Sequence, residues 1–295
     1  KSNAKMIKVG TSIKSFSNSQ YDDSYLVGIS PYVRMDLGNR NKISKINQQL
    51  MVKGIWRNDV FADVSKTNIG IMARHFIKGG GTDFKWSIEG ALTYYQDLKG
   101  VESVFRGELE VGLSLKYLRR MDKQVFVRLY AGKNFLFESP YYYNDQLQLS
   151  MSGTRGFQDL FLESYYFERN ASGGAFWAQQ RSNNQGGFSS TSNVGTTQYW
   201  LSSCNVKAEL PYLPNFIKLF SNHGLFYDEY LWDDFKLEFM YNAGLSIEFG
   251  DVFGVYFPLI RSKNMGSLYE SYGREIKFSL NFNVFDKGLN LSRFL

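Results

Sequence analysis

Alternation of apolar and polar residues is the strongest pattern along this chain. In residues 236–249 one face carries apolar side chains such as Leu237, Phe239 and Leu245, whereas the other face is mostly polar. The same period of two recurs in residues 108–118 and 278–285. Such alternation predicts β-strands with one apolar and one polar face.

About 12 strands are predicted in this way, and most are long enough to cross a bilayer at the usual tilt. Short joins at 119–123 and 211–215 alternate with longer loops, which favours up-and-down hairpins. The predicted strands are 6–16, 25–36, 46–56, 68–77, 84–95, 104–118, 125–135, 198–210, 216–227, 235–249, 254–260 and 276–285.

Two all-β architectures fit this pattern: a soluble sandwich or propeller, and a transmembrane barrel. The predicted strands exceed the usual soluble length of about 5 or 6 residues. Aromatic residues such as Trp56, Trp86 and Tyr227 crowd the strand ends, as in the aromatic girdles of membrane barrels. The fold class is therefore predicted to be all-β, an antiparallel up-and-down transmembrane barrel, with residues 1–295 forming one domain.

Composition and residue counts argue against several kinds of functional site. Aromatic residues make up 17% of the 295 residues, and the net charge is +6 with scattered basic residues, which does not favour a nucleic-acid surface. The single cysteine, Cys204, excludes an intrachain disulfide. With only two histidines, His75 and His223, no metal site is expected, and no cofactor is predicted. No catalytic motif is present, so this chain is not expected to be an enzyme.

A long stretch, residues 135–197, breaks the alternation and is expected to be a functional loop. Its second half, from Arg181 to Thr197, is rich in Ser, Asn and Gly and is expected to form an outer tip. Its first half contains Gly153, Thr154, Arg155, Gly156 and Phe157. Glycines on both sides of an arginine allow a sharp turn that presents the guanidinium in a fixed direction, ready for a carboxylate.

These residues resemble a motif in the superfamily of outer-membrane insertases and translocators that includes the BamA, TamA and two-partner-secretion barrels. Residues 154–157 match its arginine–glycine–aromatic motif, with Thr154 in place of the usual aliphatic residue. Five predicted strands follow, as in that family, and Glu209 and Pro211 match its inward carboxylate near a proline. The resemblance covers about half of the chain, from Gly153 onward, and Asn222 departs from it by placing an amide where the family has an aspartate.

The resemblance implies that the loop folds into the barrel and that Arg155, Gly156 and Phe157 form a lock with Glu209 and Asn222. Alternation independently places Glu209 on the polar face with Asn205 and Lys207. An Arg155–Glu209 pair would be a charge-assisted hydrogen bond inside the lumen. The alternative is that Arg155 lies on a surface loop.

Two further departures from the family pattern concern the ends of the chain. The family barrel has about 16 strands, so leading strands and a preceding domain are expected to lie outside this chain. In that family the final strand, which forms the seam of the barrel, ends on an aromatic residue. Phe285 would be that residue here, and residues 286–295 would follow it as a tail without an assigned role. The predicted seam residues are Phe278, Leu280, Phe282, Val284 and Phe285.

Three functions stay open at this point. The first, implied by the resemblance, is protein insertion into, or translocation across, the bacterial outer membrane. The second is a barrel that anchors or secretes an attached enzyme domain, and the third is a diffusion porin. Expected partners are outer-membrane lipids and lipopolysaccharide, with outer-membrane lipoproteins or substrate proteins as further candidates.

Overall fold

The structure is a computed structural model. It describes residues 4–17, 25–38, 46–61, 64–139, 147–154, 158–163, 179–190, 194–228, 236–250, 252–265 and 272–280. Within these ranges, no helix is long and apolar enough to cross a membrane.

Fourteen β-strands account for most of the described residues. The first seven are β1 (Ala4–Ser17), β2 (Tyr25–Gly38), β3 (Asn47–Phe61), β4 (Val64–Gly80), β5 (Phe84–Asp97), β6 (Ser103–Leu118) and β7 (Lys123–Glu138). The others are β8 (Leu149–Ser150), β9 (Thr196–Thr197), β10 (Trp200–Glu209), β11 (Ile217–Asp228), β12 (Lys236–Phe249), β13 (Phe253–Arg261) and β14 (Lys277–Leu280). The all-β prediction is confirmed, with 12 strands in the main sheet where about 12 were expected.

Among the described strands, twelve form one antiparallel sheet in chain order, from β1 to β14, and β8 and β9 form a small second sheet. Each neighbour pair is a hairpin, except that β7 pairs with β10 across the long loop region. The described ladders do not include a pairing between β1 and β14. The predicted final strand extends to Phe285, but residues 281–295 lie outside the described residues.

The two ends of the sheet differ in their connections. Residues 81–83, 119–122, 210–216 and 250–252 connect consecutive strands at one end, here called the turn end. The long stretch 139–199 leaves from the opposite end, here called the loop end. Because the strands alternate in direction, Ala4 of β1 and Leu280 of β14 both lie toward the turn end.

The two faces of the sheet have opposite polarity. Ile71, Leu92 and Leu109 lie on the outward face and are about half exposed, at 53, 52 and 49%. On the inward face, the polar side chains of Arg57 and Asn222 are almost fully buried. An apolar outside around a polar inside is the arrangement expected of a sheet that faces lipid, and it is the reverse of a soluble protein core.

Aromatic pairs flank this apolar face at both ends. Trp200 and Tyr227 stack at the loop end with 6.5 Å between ring centroids. Phe216 and Phe249 stack at the turn end, 5.4 Å apart. Rings at these heights match the girdles by which membrane barrels contact both interfaces.

The faces can be tested with two adjacent residues of β5. Ile88 is on the outward face, whereas Ser87 lines an internal cavity. Ile88→Arg is expected to lower the free energy of unfolding in phosphatidylcholine vesicles by about 2 kcal/mol, because a charge near the bilayer centre is poorly solvated. Ser87→Arg, the matched control, is expected to change it by less than half as much. Equal losses from the two substitutions would contradict the assignment of the faces.

Candidate functional site

The inward face of the sheet is covered by part of the long loop region. We call residues 147–154, 158–163 and 179–190 the inner segment. Leu149, Met151 and Phe188 in this segment are 0–1% exposed. Inward side chains of the main sheet from β1 to β13 and the backbone of β14 contact it, so the sheet curves around the segment.

The second half of the loop region differs from the outer tip expected from its composition. Arg181, Gln185, Ser189 and Ser190 are all buried. A Ser-, Asn- and Gly-rich sequence suits a solvated loop, but it equally suits a polar lumen, where the same groups find hydrogen-bond partners on the strands.

Residues 159–163 contact one wall of the lumen, the inward face of β1, β3 and β4. Arg57 of β3 donates from Nη1 to the Asp159 carbonyl at 3.2 Å. Lys53, also on β3, donates to the Phe161 carbonyl at 3.2 Å, and Lys14 of β1 donates to the Leu162 carbonyl. Three inward cations thus bind three backbone carbonyls of residues 159–162.

A carboxylate strengthens this contact. Glu163 lies 2.8 Å from Arg74 Nη2 and 3.3 Å from Lys53 Nζ. Burial alone would raise the pKa of Glu163, but the attraction of Arg74 and Lys53 outweighs it and the net shift is downward. Glu163 is therefore held as an anion between two cations from β3 and β4.

Apolar side chains of the same residues pack beside these polar contacts. Leu160, Phe161 and Leu162 form a buried cluster with inward residues of the first strands and Leu147. The other members of that cluster are Ile55, Met72, Tyr95 and Val104. The cluster gives this wall an apolar core beside its polar contacts, since burial of such side chains stabilises the contact.

On the opposite wall, three asparagines form a ladder across three strands. Asn205 of β10, Asn222 of β11 and Asn242 of β12 are directly opposite one another in register. Asn205 Nδ2 donates to Asn222 Oδ1 at 3.0 Å, and Asn222 Nδ2 donates to Asn242 Oδ1 at 2.6 Å. All three are buried.

The asparagine ladder holds residues 186–190. Asn205 Nδ2 also donates to the Gly186 carbonyl at 3.1 Å, and Asn222 Nδ2 to Ser189 Oγ at 3.2 Å. Asn242 donates to Ser190 Oγ. Each rung therefore carries one contact to the inner segment, and each buried amide is linked to its neighbour.

Arg181 binds residues 187–189 of the inner segment. Its Nη1 donates to Ser189 Oγ and its Nη2 to the Gly187 carbonyl, both at 2.6 Å. Its guanidinium stacks on Tyr256 of β13, 4.4 Å from the ring centroid. Its backbone N–H donates to the carbonyl of Phe278 in β14 at 2.8 Å. One arginine thus organises the turn at 187–189 and joins it to the last two strands.

Met151 packs closely against β11 at Gly224. A Cβ at Gly224 would collide with the thioether of Met151. Met151 and Phe188 belong to a second buried apolar cluster with Tyr130, Leu149, Leu201, Phe226, Met240 and Met265. The inner segment is therefore packed on both walls.

Of the residues predicted to form the lock, Arg155, Gly156 and Phe157 lie outside the described residues. The preceding Thr154 is tied to the inner segment, since its backbone N–H donates to Asn184 Oδ1 at 2.8 Å. Glu209 is buried near the turn end, where its Oε2 accepts from the Gln124 backbone N–H at 2.9 Å. The Arg155–Glu209 pair stays a prediction, whereas Asn222 lies at the centre of the asparagine ladder.

The predicted seam residues are described only in part. Phe278 and Leu280 pair with Val255 and Phe253 of β13. Phe282, Val284 and Phe285 lie outside the described residues. Gln180 of the inner segment forms a parallel bridge with Phe278, so the inner segment contacts the backbone of β14.

Sequence reasoning did not single out Asn242, Arg181 or Glu163 as site residues. A signal for the ladder was present, because Asn205, Asn222 and Asn242 occupy polar-face positions of consecutive predicted strands. Their alignment depends on strand register, which alternation alone does not fix.

The histidines and the cysteine lie away from the inner segment. His75 and His223 are exposed on the outward face, where His223 stacks on Phe239 at 6.1 Å. Cys204 is half-buried on the same face. Among the described residues, no group of three or more His, Cys, Asp or Glu side chains could hold a metal ion.

No protein-family model matches this sequence, and no curated protein matches it. Among solved structures, CdiB from Escherichia coli is similar, with a TM-score of 0.41 and 13% sequence identity. The similarity covers 92% of this chain and 48% of CdiB, so the chain spans about half of the length of that protein.

The asparagine ladder predicts a specific loss of stability. Asn222→Ala removes the central rung and leaves buried groups of Asn242 and Ser189 without this partner, which is expected to cost about 1–3 kcal/mol. Urea unfolding of the purified protein in detergent micelles measures this loss. Ser221→Ala, on the outward face of the same strand, is the control and should cost less than about 0.5 kcal/mol. Similar losses from both would show that the ladder does not hold the inner segment.

Proposed function

We propose that this chain is a bacterial outer-membrane β-barrel that acts in protein export across, or protein assembly into, the outer membrane. In this proposal the inner segment occupies the lumen at rest. It leaves its binding positions when another polypeptide engages the barrel.

The observation that carries the proposal is the chemistry of the inward face, which binds backbone carbonyls. Arg57, Lys53, Arg106, Arg128 and Asn205 donate to carbonyls of the inner segment. Carbonyls are common to every polypeptide, whatever its sequence. A wall that binds its own chain in this way can hold a different extended chain with the same donors.

The outward face supports the membrane location. Its apolar side chains and its aromatic pairs at both ends suit contact with outer-membrane lipids and lipopolysaccharide.

A lumen filled by the inner segment supports a gated role more than a diffusion porin, which needs an open path. Anchoring or secretion of an attached enzyme domain is the narrower version of the same proposal, with the attached domain as the exported polypeptide. Lipoprotein partners remain predictions.

Planar-bilayer conductance tests the gating step. The wild-type protein is expected to be mostly closed. Asn222→Ala should raise the open fraction about tenfold for each 1.4 kcal/mol by which it weakens the binding of the inner segment. Ser221→Ala should leave the open fraction unchanged. Large and steady wild-type conductance, equal to that of Asn222→Ala, would favour the porin and contradict the proposal.

The same bilayers test whether the lumen accepts a polypeptide. Reduced and alkylated α-lactalbumin, which stays unfolded, is added to the side that faces the turn end. It is expected to block the current of the open Asn222→Ala protein reversibly, because it replaces the inner segment on the carbonyl-binding wall. A current unaffected by the unfolded chain would argue against export or assembly while leaving the gating result intact.

A further inference from the structure

A cavity of about 1250 Å³ lies between the inner segment and the turn end of the sheet. Seven basic side chains line it, against three acidic ones. Six of the basic residues come from the strands: Lys78, Lys85, Lys116, Arg128, Lys207 and Lys218. The seventh is Arg181 of the inner segment. We call this cavity the basic chamber.

The acidic side chains do not balance this charge. Asp122 pairs with Lys116 at 2.5 Å, and Glu110 pairs with Arg128 at 2.6 Å. The third acid, Glu248, is shared between two lysines. Seven positive charges against three negative ones leave an excess of four. A cavity with walls of one sign concentrates mobile ions of the other sign.

Half of this excess lies where the inner segment meets β10–β13. Glu248 lies 2.5 Å from Lys207 Nζ and 3.1 Å from Lys218 Nζ. Lys207 Nζ is also 5.1 Å from the centroid of the Tyr256 ring, the same ring on which Arg181 stacks. Three cations therefore share one carboxylate and one aromatic ring.

Arg181 is the member of this group that most needs a counter-ion. It is 7% exposed, and no carboxylate among the described residues forms an ion pair with it. Its Nε is buried and has no hydrogen-bond partner within the described part of the chain. Burial lowers the pKa of Arg181, with only partial compensation from Tyr256 and Glu248. A buried guanidinium without an anion is costly, because water no longer solvates it.

We propose that the basic chamber is a binding site for phosphate-bearing anions, with Arg181 and Lys207 contacting the anion. A phosphate offers several acceptor oxygens, which suit a guanidinium together with an ammonium group. The cavity volume leaves room for a phosphorylated solute larger than inorganic phosphate. This site goes beyond the proposed function and does not depend on polypeptide export.

Isothermal titration of the full chain with pyrophosphate, in neutral detergent at low ionic strength, tests the site. Binding is expected, and Lys207→Gln should weaken it about tenfold, the loss that corresponds to one charge-assisted hydrogen bond. Glu248→Gln should instead tighten binding, because it removes the carboxylate that competes for Lys207 and Lys218. A substitution that merely damaged the fold would not tighten binding.

Two further variants guard against indirect effects. Lys85→Gln, at an exposed position on the other wall of the basic chamber, should weaken binding without disturbing the inner segment. Lys133→Gln, on the outward face, is the control and should bind as the wild type does. Absence of pyrophosphate binding would overturn the proposal. Binding lost in Lys133→Gln but unchanged in Lys207→Gln and Lys85→Gln would overturn it as well.

Discussion

Buried polar groups on the inward face of the sheet impose the constraint on which the rest of the structure depends. Arg57, Asn205, Asn222 and Asn242 are almost completely shielded from water, and each such group is costly unless it is hydrogen-bonded. Asp59 pairs with Arg57 and the asparagines bond one another, and the inner segment supplies further partners, namely backbone carbonyls and serine hydroxyls. The same contacts hold the segment in the lumen, so the stability of the wall and the closure of the lumen are physically coupled.

This coupling is consistent with the proposed gating of the lumen. The contacts on the ladder wall are mainly hydrogen bonds, whose net contribution is about 1 kcal/mol each, because water or another chain can replace the partner. Each wall also packs a cluster of apolar side chains against the segment, but the wall of β3 and β4 adds ion pairs to Glu163. The ladder side is therefore the side expected to release first, while residues 159–163 keep the segment attached to the first strands.

Much of the fold was predictable from the sequence because a strand that separates lipid from a polar lumen must alternate strictly. The strands predicted at 84–95 and 235–249 match β5 and β12 within two residues. The site was harder to predict. The Ser- and Asn-rich stretch after Arg181 has the composition of a solvated loop, and only strand register brings Asn205, Asn222 and Asn242 into one row. The predicted partner of Glu209, Arg155, lies outside the described residues.

The most direct test of the account is whether residue 189 lies on the asparagine ladder in the folded protein. Ser189 Oγ and Asn222 Nδ2 are 3.2 Å apart. In a Cys204→Ser background, Ser189→Cys with Asn222→Cys is therefore expected to form a disulfide under mild oxidation in lipid vesicles. Ser189→Cys with Ser221→Cys, which points to the outward face, should not. If the first pair stays reduced and both thiols react freely with a water-soluble maleimide, the inner segment does not occupy the lumen.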